Sequence, residues 1–462
     1  MKEILVNASI YTVLYGLSVI TGERHIAPLS GAFLLLAAIF LYYREYKRQE
    51  QLLCLRGLMA LGFIGGEGIA RFQLSTLSTD WTQMTWWSFY LFYLVFYFVS
   101  FLPEGREKHA EHQNSTESTI SEASRLKFLR RLILMLLVLT YACFSVEAFR
   151  LRMIPLFVKD TPHAYGIFHL KGVHYFTTLV ILIPSYVVLY LNTRTGIRVT
   201  EERETQKSIA GKRRTFLNFV DLFSLITLFF AILMPVLMVS RFQLMFSVIV
   251  AVFTYLLSGR KLKLWQAALM FFAMVLLYVF ITIHRAHSVE YLNGIFAMKN
   301  PATPIFITQP YMYIANNYDN FNVMTCDLTV HSKGLKMLYP FVTLSALKYF
   351  FPSLAPAFPL FKTKEELGTT TILYDAWYDF GIPGVLLFGI VLGLLTGLLE
   401  KNHKPLSGTM LTPVYAQVAF YFLFSFFTTW FSLPSTWFYL IISVFISVLS
   451  HRICIQFIDK KL

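Results

Sequence analysis

Charge is scarce in this sequence, and so are the motifs that hold nucleotides and metals. Only 14% of the 462 residues are Asp, Glu, Lys or Arg, against roughly 25% in a soluble domain. That shortage excludes an ordinary water-soluble globule. Acidic residues are the scarcer kind, 26 against 40 basic, for a formal charge of +14. The excess is not a nucleic-acid footprint, because the basic residues fall in short stretches between apolar runs rather than on one helix face or in one domain. Cysteine is rare: Cys54, Cys143, Cys326 and Cys454 form no CxxC or Cys/His spacing, so neither a disulfide nor a zinc site is expected. The phosphate-binding P-loop, the Gly-rich dinucleotide turn, the Gly-x-Ser-x-Gly elbow and Asp-x-Asp are all missing. A nucleotide-sugar donor held through a metal is therefore not supported, and no cofactor is expected.

What fills the chain instead is apolar: 56% of its residues are hydrophobic, and 17% of the whole chain is aromatic. Runs long enough to cross ~30 Å of hydrocarbon lie at Ile4 to Ile20, Leu29 to Tyr43, Leu52 to Phe72 and Met84 to Leu102. Others follow at Leu132 to Phe149, Val173 to Leu191, Phe216 to Met238, Phe242 to Leu257 and Leu264 to Ile283. The last three are Trp377 to Leu399, Leu411 to Phe431 and Trp437 to Ile455. The expectation is an all-α integral membrane protein of about twelve spans. One Lys precedes the first run and no small-residue cleavage site follows it, so that run reads as a retained helix. Every second connection is basic, through Arg44, Lys47 and Arg48, then Arg125 to Arg131, then Lys212 to Arg214, Arg260 to Lys263, Lys401 with Lys404, and Lys460 with Lys461. These sides and both termini are assigned to the cytoplasm, with cytoplasmic loops near 104–130 and 192–214.

Three parts follow: spans over 1–283, one large extracytoplasmic stretch over 284–376, and the remaining spans with a short tail over 377–462. The middle stretch, roughly ninety residues, is far longer than an ordinary connection. Its aromatic residues and prolines predict a small cap of short helices. Gly389, Gly393 and Gly397 give the tenth run a small-xxx-small ridge for close helix packing.

Charges at the ends of apolar spans are the natural functional candidates. Arg241 stands alone between two spans on the outer side, where the positive-inside rule disfavours it. Its planar fork suits a pyrophosphate; the competing reading is an ion pair or a headgroup anchor. His284 and Arg285 close the next span at the same surface. The run from Asn316 to Asn322 is the densest cluster of amides, carboxylate and aromatics in the chain. It is suited either to sugars, with Asp319 as a base, or simply to a turn. Asp375, Tyr378 and Asp379 precede re-entry into the membrane, where a carboxylate could pair with Arg241 or cap a helix. Glu67 and Arg71, four apart, read as an i, i+4 pair. His169 and His174 lack a third ligand, so no metal site is assigned.

Taken in order, these pieces resemble the Wzy-type oligosaccharide repeat-unit polymerases of O-antigen, capsule and enterobacterial common antigen. The matching pieces are Ser240-Arg241, His284-Arg285, Asn317-Tyr318-Asp319-Asn320, and Gly368-Thr369 followed by Tyr378-Asp379-Phe380-Gly381. They cover roughly the C-terminal half. The Arg-x10-Gly signature of some members is not reproduced, since position 252 is Val and position 296 is Phe. The resemblance implies a metal-independent glycosyltransferase of the bacterial cytoplasmic membrane, taking an undecaprenyl pyrophosphate-linked oligosaccharide as donor. Arg241 and Arg285 would stabilise the leaving pyrophosphate, and Asp319 or His284 would deprotonate the acceptor. Asn317, Tyr318, Asn320, Thr369, Tyr378 and Asp379 would contact substrate. Membrane lipid, a flippase, a chain-length regulator and a priming transferase are the implied partners, and no nucleic acid. An O-antigen ligase shares this plan, and a lipid-linked oligosaccharide flippase is the rival from another class.

Overall fold

In hydrocarbon a backbone must satisfy its own hydrogen bonds, which leaves helix as the form available to these apolar runs. The computed structural model describes residues 2–105, 115–158, 164–205, 221–261, 289–401 and 409–459, together with Lys263, Trp265, Gln266, Phe272 and Leu276. It is all-helical, at 76% helix, and among the described residues the only β pairing is one bridge between Ser75 and Met298. In chain order the helices are α1 Lys2–Glu23, α2 Ala27–Gln49, α3 Leu55–Met59, α4 Gly65–Ala70 and α5 Gln83–Val99. Next come α6 Ser115–Leu151, α7 Val173–Thr178, α8 Ile183–Thr205, α9 Leu222–Leu237, α10 Arg241–Leu257 and α11 Val289–Phe296. The last are α12 Ile305–Asp327, α13 Leu335–Leu344, α14 Tyr374–Phe380, α15 Ile382–Lys401, α16 Thr412–Leu423 and α17 Pro434–Asp459. Among the described residues, five stretches are long and apolar enough to cross a membrane: Lys2–Glu23, Ala27–Gln49, Glu122–Leu151, Val173–Gly196 and Ile382–Lys401. Those are the marks of a helical membrane protein.

Several expectations from hydropathy are corrected. The supposed loops near 104–130 and 192–214 are helical where described, since α6 begins at Ser115 and α8 continues to Thr205. The run from Leu52 is helical without a gap from Leu55 to Ala70, with a π turn at Ala60–Ile64 inside it. Trp377 does not open a span. It lies in α14, which stops at Gly381, whose φ of +61° a side chain would disfavour, and α15 starts afresh at Ile382. The stretch after residue 288 holds more than short helices, because α12 is 23 residues long.

The chain divides into two compact units, each assembled from separated stretches: residues 1–107, 288–403 and 418–438 in the first, and 108–287, 404–417 and 439–462 in the second. In the first, the glycine ridge of α15 meets α5. A Cβ at Gly389, Gly393 or Gly397 would stand 3.1, 2.8 or 2.4 Å from the carbonyl oxygens of Phe92, Phe96 and Ser100. Backbone contact at that range is what the small residues permit. Just beyond, Arg56 is fully buried and ties four helix ends together. Its guanidinium lies 2.5 Å from Glu400 and 3.6 Å from Glu45, and it donates to Ser100 Oγ and O at 2.6 and 2.7 Å. In the second unit, Asp221 caps α9 by accepting from Ser224 N at 2.9 Å, and it pairs with Arg194 at 2.6 Å. The Glu147 carboxylate accepts from Leu170 N at 3.0 Å and meets His174 at 3.1 Å.

Candidate functional site

The polar run from Asn316 to Asn322 is not a turn but the middle of α12, and it is buried. Helical spacing sorts its side chains onto separate faces. On one face, Asn320 uses its full capacity: Nδ2 donates to Leu367 O and Thr369 O at 2.7 and 2.8 Å, while Oδ1 accepts from Thr363 N and Oγ1 at 2.7 and 3.2 Å. Asn317 donates to Tyr313 O and Phe426 O, both at 2.7 Å, and accepts from Thr369 Oγ1 at 2.5 Å. Asn316 completes the seam with Leu367 O and Thr363 Oγ1. These amides hold residues 363–369 as a strap along α12.

The other face holds the segment after α4. Asp319 Oδ1 accepts from Thr79 N, Thr79 Oγ1 and Trp81 Nε1 at 3.2, 3.0 and 3.1 Å. Asn322 accepts from Thr82 N and Thr85 Oγ1 and donates to Thr79 Oγ1 and Asp80 O. Burial lifts the Asp319 carboxyl from 3.8 to about 6, against the lowering by those donors and by Arg71. Tyr318 OH donates to Phe63 O at 2.6 Å, reaching into the π turn. Glu67 and Arg71 do not form the expected pair: no ion pair joins them, and the Arg71 guanidinium lies 5.0 and 5.2 Å over the rings of Trp81 and Trp86.

A second cluster forms where α13 meets α14. The Asp379 carboxylate accepts from Lys336 N at 3.1 Å and Met337 N at 2.9 Å, and from Ser332 Oγ. It therefore caps α13 from outside, a role the sequence allowed but assigned to its own helix. Asp375 pairs with Lys336 Nζ at 2.6 Å, so its partner is Lys336 and not Arg241. The same ammonium lies 4.3 Å over the Tyr378 ring and 5.2 Å over Tyr374. Nothing in the sequence around Lys336 reveals a partner 39 residues away.

In the second unit, Val239 in the left-handed region and Ser240 turn the chain tightly between α9 and α10. Ser240 Oγ accepts from Gln243 N at 3.4 Å, which makes it the N-cap and leaves Arg241 as the first residue of a 17-residue helix. The far end of α10 leads to Arg260, bonded to Asn192 at 3.2 Å. Thus Asn317, Tyr318, Asp319, Asn320, Thr369, Tyr378 and Asp379 belong to the first unit and Arg241 to the second. His284 and Arg285 lie outside the described residues. Among the described residues no group of three or more His, Cys, Asp or Glu is placed to hold a metal ion. Comparison with protein-family models, with curated proteins and with solved structures gives no match.

Proposed function

We propose that this chain is a polymerase of the bacterial cytoplasmic membrane, with about twelve spans and both termini inside, joining lipid-pyrophosphate-linked oligosaccharide repeat units at the outer face. The observation that carries the reading is Arg241 at the first position of α10. A cation there adds to the positive end of the helix dipole instead of opposing it, and an arrangement that concentrates positive potential favours an anion. Its placement opposite the helix end that leads to Arg260 agrees with an outer-face position. In the first unit, Arg56 gathers Glu45, Ser100 and Glu400 at one level beside Arg48 and Lys401, as a common cytoplasmic side requires.

In the proposed reaction, the bond between the donor's anomeric carbon and the pyrophosphate oxygen breaks. A bond from that carbon to an acceptor hydroxyl forms, and undecaprenyl pyrophosphate leaves. Arg241 and Arg285 stabilise the charge on the leaving group. The hydroxyl proton goes to a base, for which the resemblance offers His284.

The test is the length distribution of surface polysaccharide in cells carrying Arg241→Ala or Arg241→Lys, beside a deletion and the wild type at matched protein level. Single repeat units accumulating on the lipid carrier in Arg241→Ala, with partial recovery in Arg241→Lys, is the expected result. Full-length chains left unattached would make the protein a ligase, and an unchanged distribution would remove Arg241 from the mechanism.

A further inference from the structure

At the end of the first unit marked by the Arg56 network, α1, α2 and α5 enclose a cleft of about 540 Å³. Its charged lining is Lys2, Arg44, Lys47 and Arg48 against Glu3 and Glu45. Glu45 is already shared between Arg48 at 3.7 Å and the buried Arg56, which leaves the rim with an excess of cations. A chain of hydrogen bonds fixes the floor: Arg44 Nε donates to Asn7 Oδ1 at 3.1 Å, Asn7 Nδ2 to Tyr97 OH at 3.0 Å, and Tyr97 OH to Glu45 Oε1 at 3.3 Å. Arg44 is thus held in place from behind before any ligand arrives, and only an exposed Glu3 at 3.4 Å answers it from the front. The exposed faces of α1 and α2 beyond the cleft are different in kind. Leu5, Val6 and Val13 on α1 and Leu36, Ile39 and Tyr43 on α2 expose about half or more of their surface, on helices apolar enough to span a membrane.

We propose that this cleft binds the phosphate headgroup of an anionic membrane phospholipid, with its acyl chains lying along the exposed faces of α1 and α2. Basic pockets between membrane helices on the cytoplasmic side have the charge such a headgroup needs, and the apolar flanks distinguish an amphiphile from free phosphate. The inference rests on α1 and α2 spanning the membrane and is independent of the polymerase reading.

Native mass spectrometry of the purified full chain with phosphatidylglycerol or phosphatidylcholine of equal chain length tests it, alongside thermal melts with each lipid and with inorganic phosphate alone. The expected result is roughly tenfold greater retention of phosphatidylglycerol, lost in Arg44→Gln/Lys47→Gln and kept in the surface control Lys333→Gln. Where the double variant melts early, Lys2→Gln/Lys47→Gln, which spares the Asn7 bond, replaces it and is expected to lose the preference too. Equal retention of both lipids, or a preference that survives these variants, would overturn the proposal. Stabilisation by inorganic phosphate as large as that by phosphatidylglycerol would overturn the assignment to a lipid.

Discussion

Two polar regions of the first unit invite comparison: the asparagine seam of α12 and the basic cleft between α1, α2 and α5. In the seam, every polar atom of Asn320 has a backbone or hydroxyl partner, and Asn317 and Asp319 are nearly as fully engaged. In the cleft, cations surround open volume: Arg44 is held by Asn7 from behind and meets an exposed Glu3 in front. The seam has the denser polar sequence, yet it is the cleft that has capacity to spare. Density of hydrogen-bonding residues marks where a buried backbone needs partners; a binding site also needs atoms left unsatisfied around a space.

Substitutions can break that comparison, and the largest effect is expected at Arg56. Arg56→Ala leaves Glu400 buried without its cation and Glu45 with Arg48 alone, and breaking a buried pair in this way costs about 3–5 kcal/mol. The folded yield of the membrane protein in detergent should collapse, and a normal yield would mean that the network is not what ties these helix ends. In the seam, Asn320→Ala strips Thr369 O of its donor and Thr363 N of its acceptor, and leaves Leu367 O with Asn316 alone. A loss of at least about 2 kcal/mol is expected, from the desolvation cost of orphaned backbone groups. A clear fall in melting temperature should follow.

Asp319 gives a smaller and pH-dependent effect. Its folded-state carboxyl, near 6, is above its ordinary value of 3.8, so its contribution is fully present below pH 3.8 and is lost as pH rises through 6. Asp319→Asn keeps Oδ1 and its three donors but not the titration. The wild type should therefore gain up to about 3 kcal/mol over the variant as pH falls from 7 to 4. Parallel pH curves for the two proteins would show that burial does not raise this carboxyl. The smallest effect belongs to the cleft. Lys47→Gln removes an exposed cation 5.6 Å over the Tyr43 ring, which should change stability by less than about 0.5 kcal/mol. A large loss there would make the cleft a structural element like the seam.

The sequence made some of this legible. Apolar length located the five described helices long enough to cross a membrane, and the four-residue spacing of Gly389, Gly393 and Gly397 announced a ridge that α5 then fills. Periodicity could not reveal that α12 is helical, because its buried residues are largely polar and satisfied by contacts 40 to 50 or some 240 residues away in sequence. For the same reason an amide cluster suited to sugars looked identical to one suited to binding a strap. The break at Gly381 was hidden inside a continuous apolar run. Arg56, Lys336 and the cleft were invisible because each depends on which helix ends the fold brings to one level. Of the reading of Arg241, the structure bears on its place alone, as the first residue of a helix after the Ser240 cap.

The most direct test pairs the two kinds of position in one preparation: melting temperature and polymer made per folded molecule, for Arg241→Ala and Asn320→Ala. The account predicts a crossing, in which Arg241→Ala melts like the wild type but makes no polymer, while Asn320→Ala melts early but polymerises normally per folded molecule. The opposite crossing, with polymer lost in a stable Asn320→Ala and retained in Arg241→Ala, would contradict it.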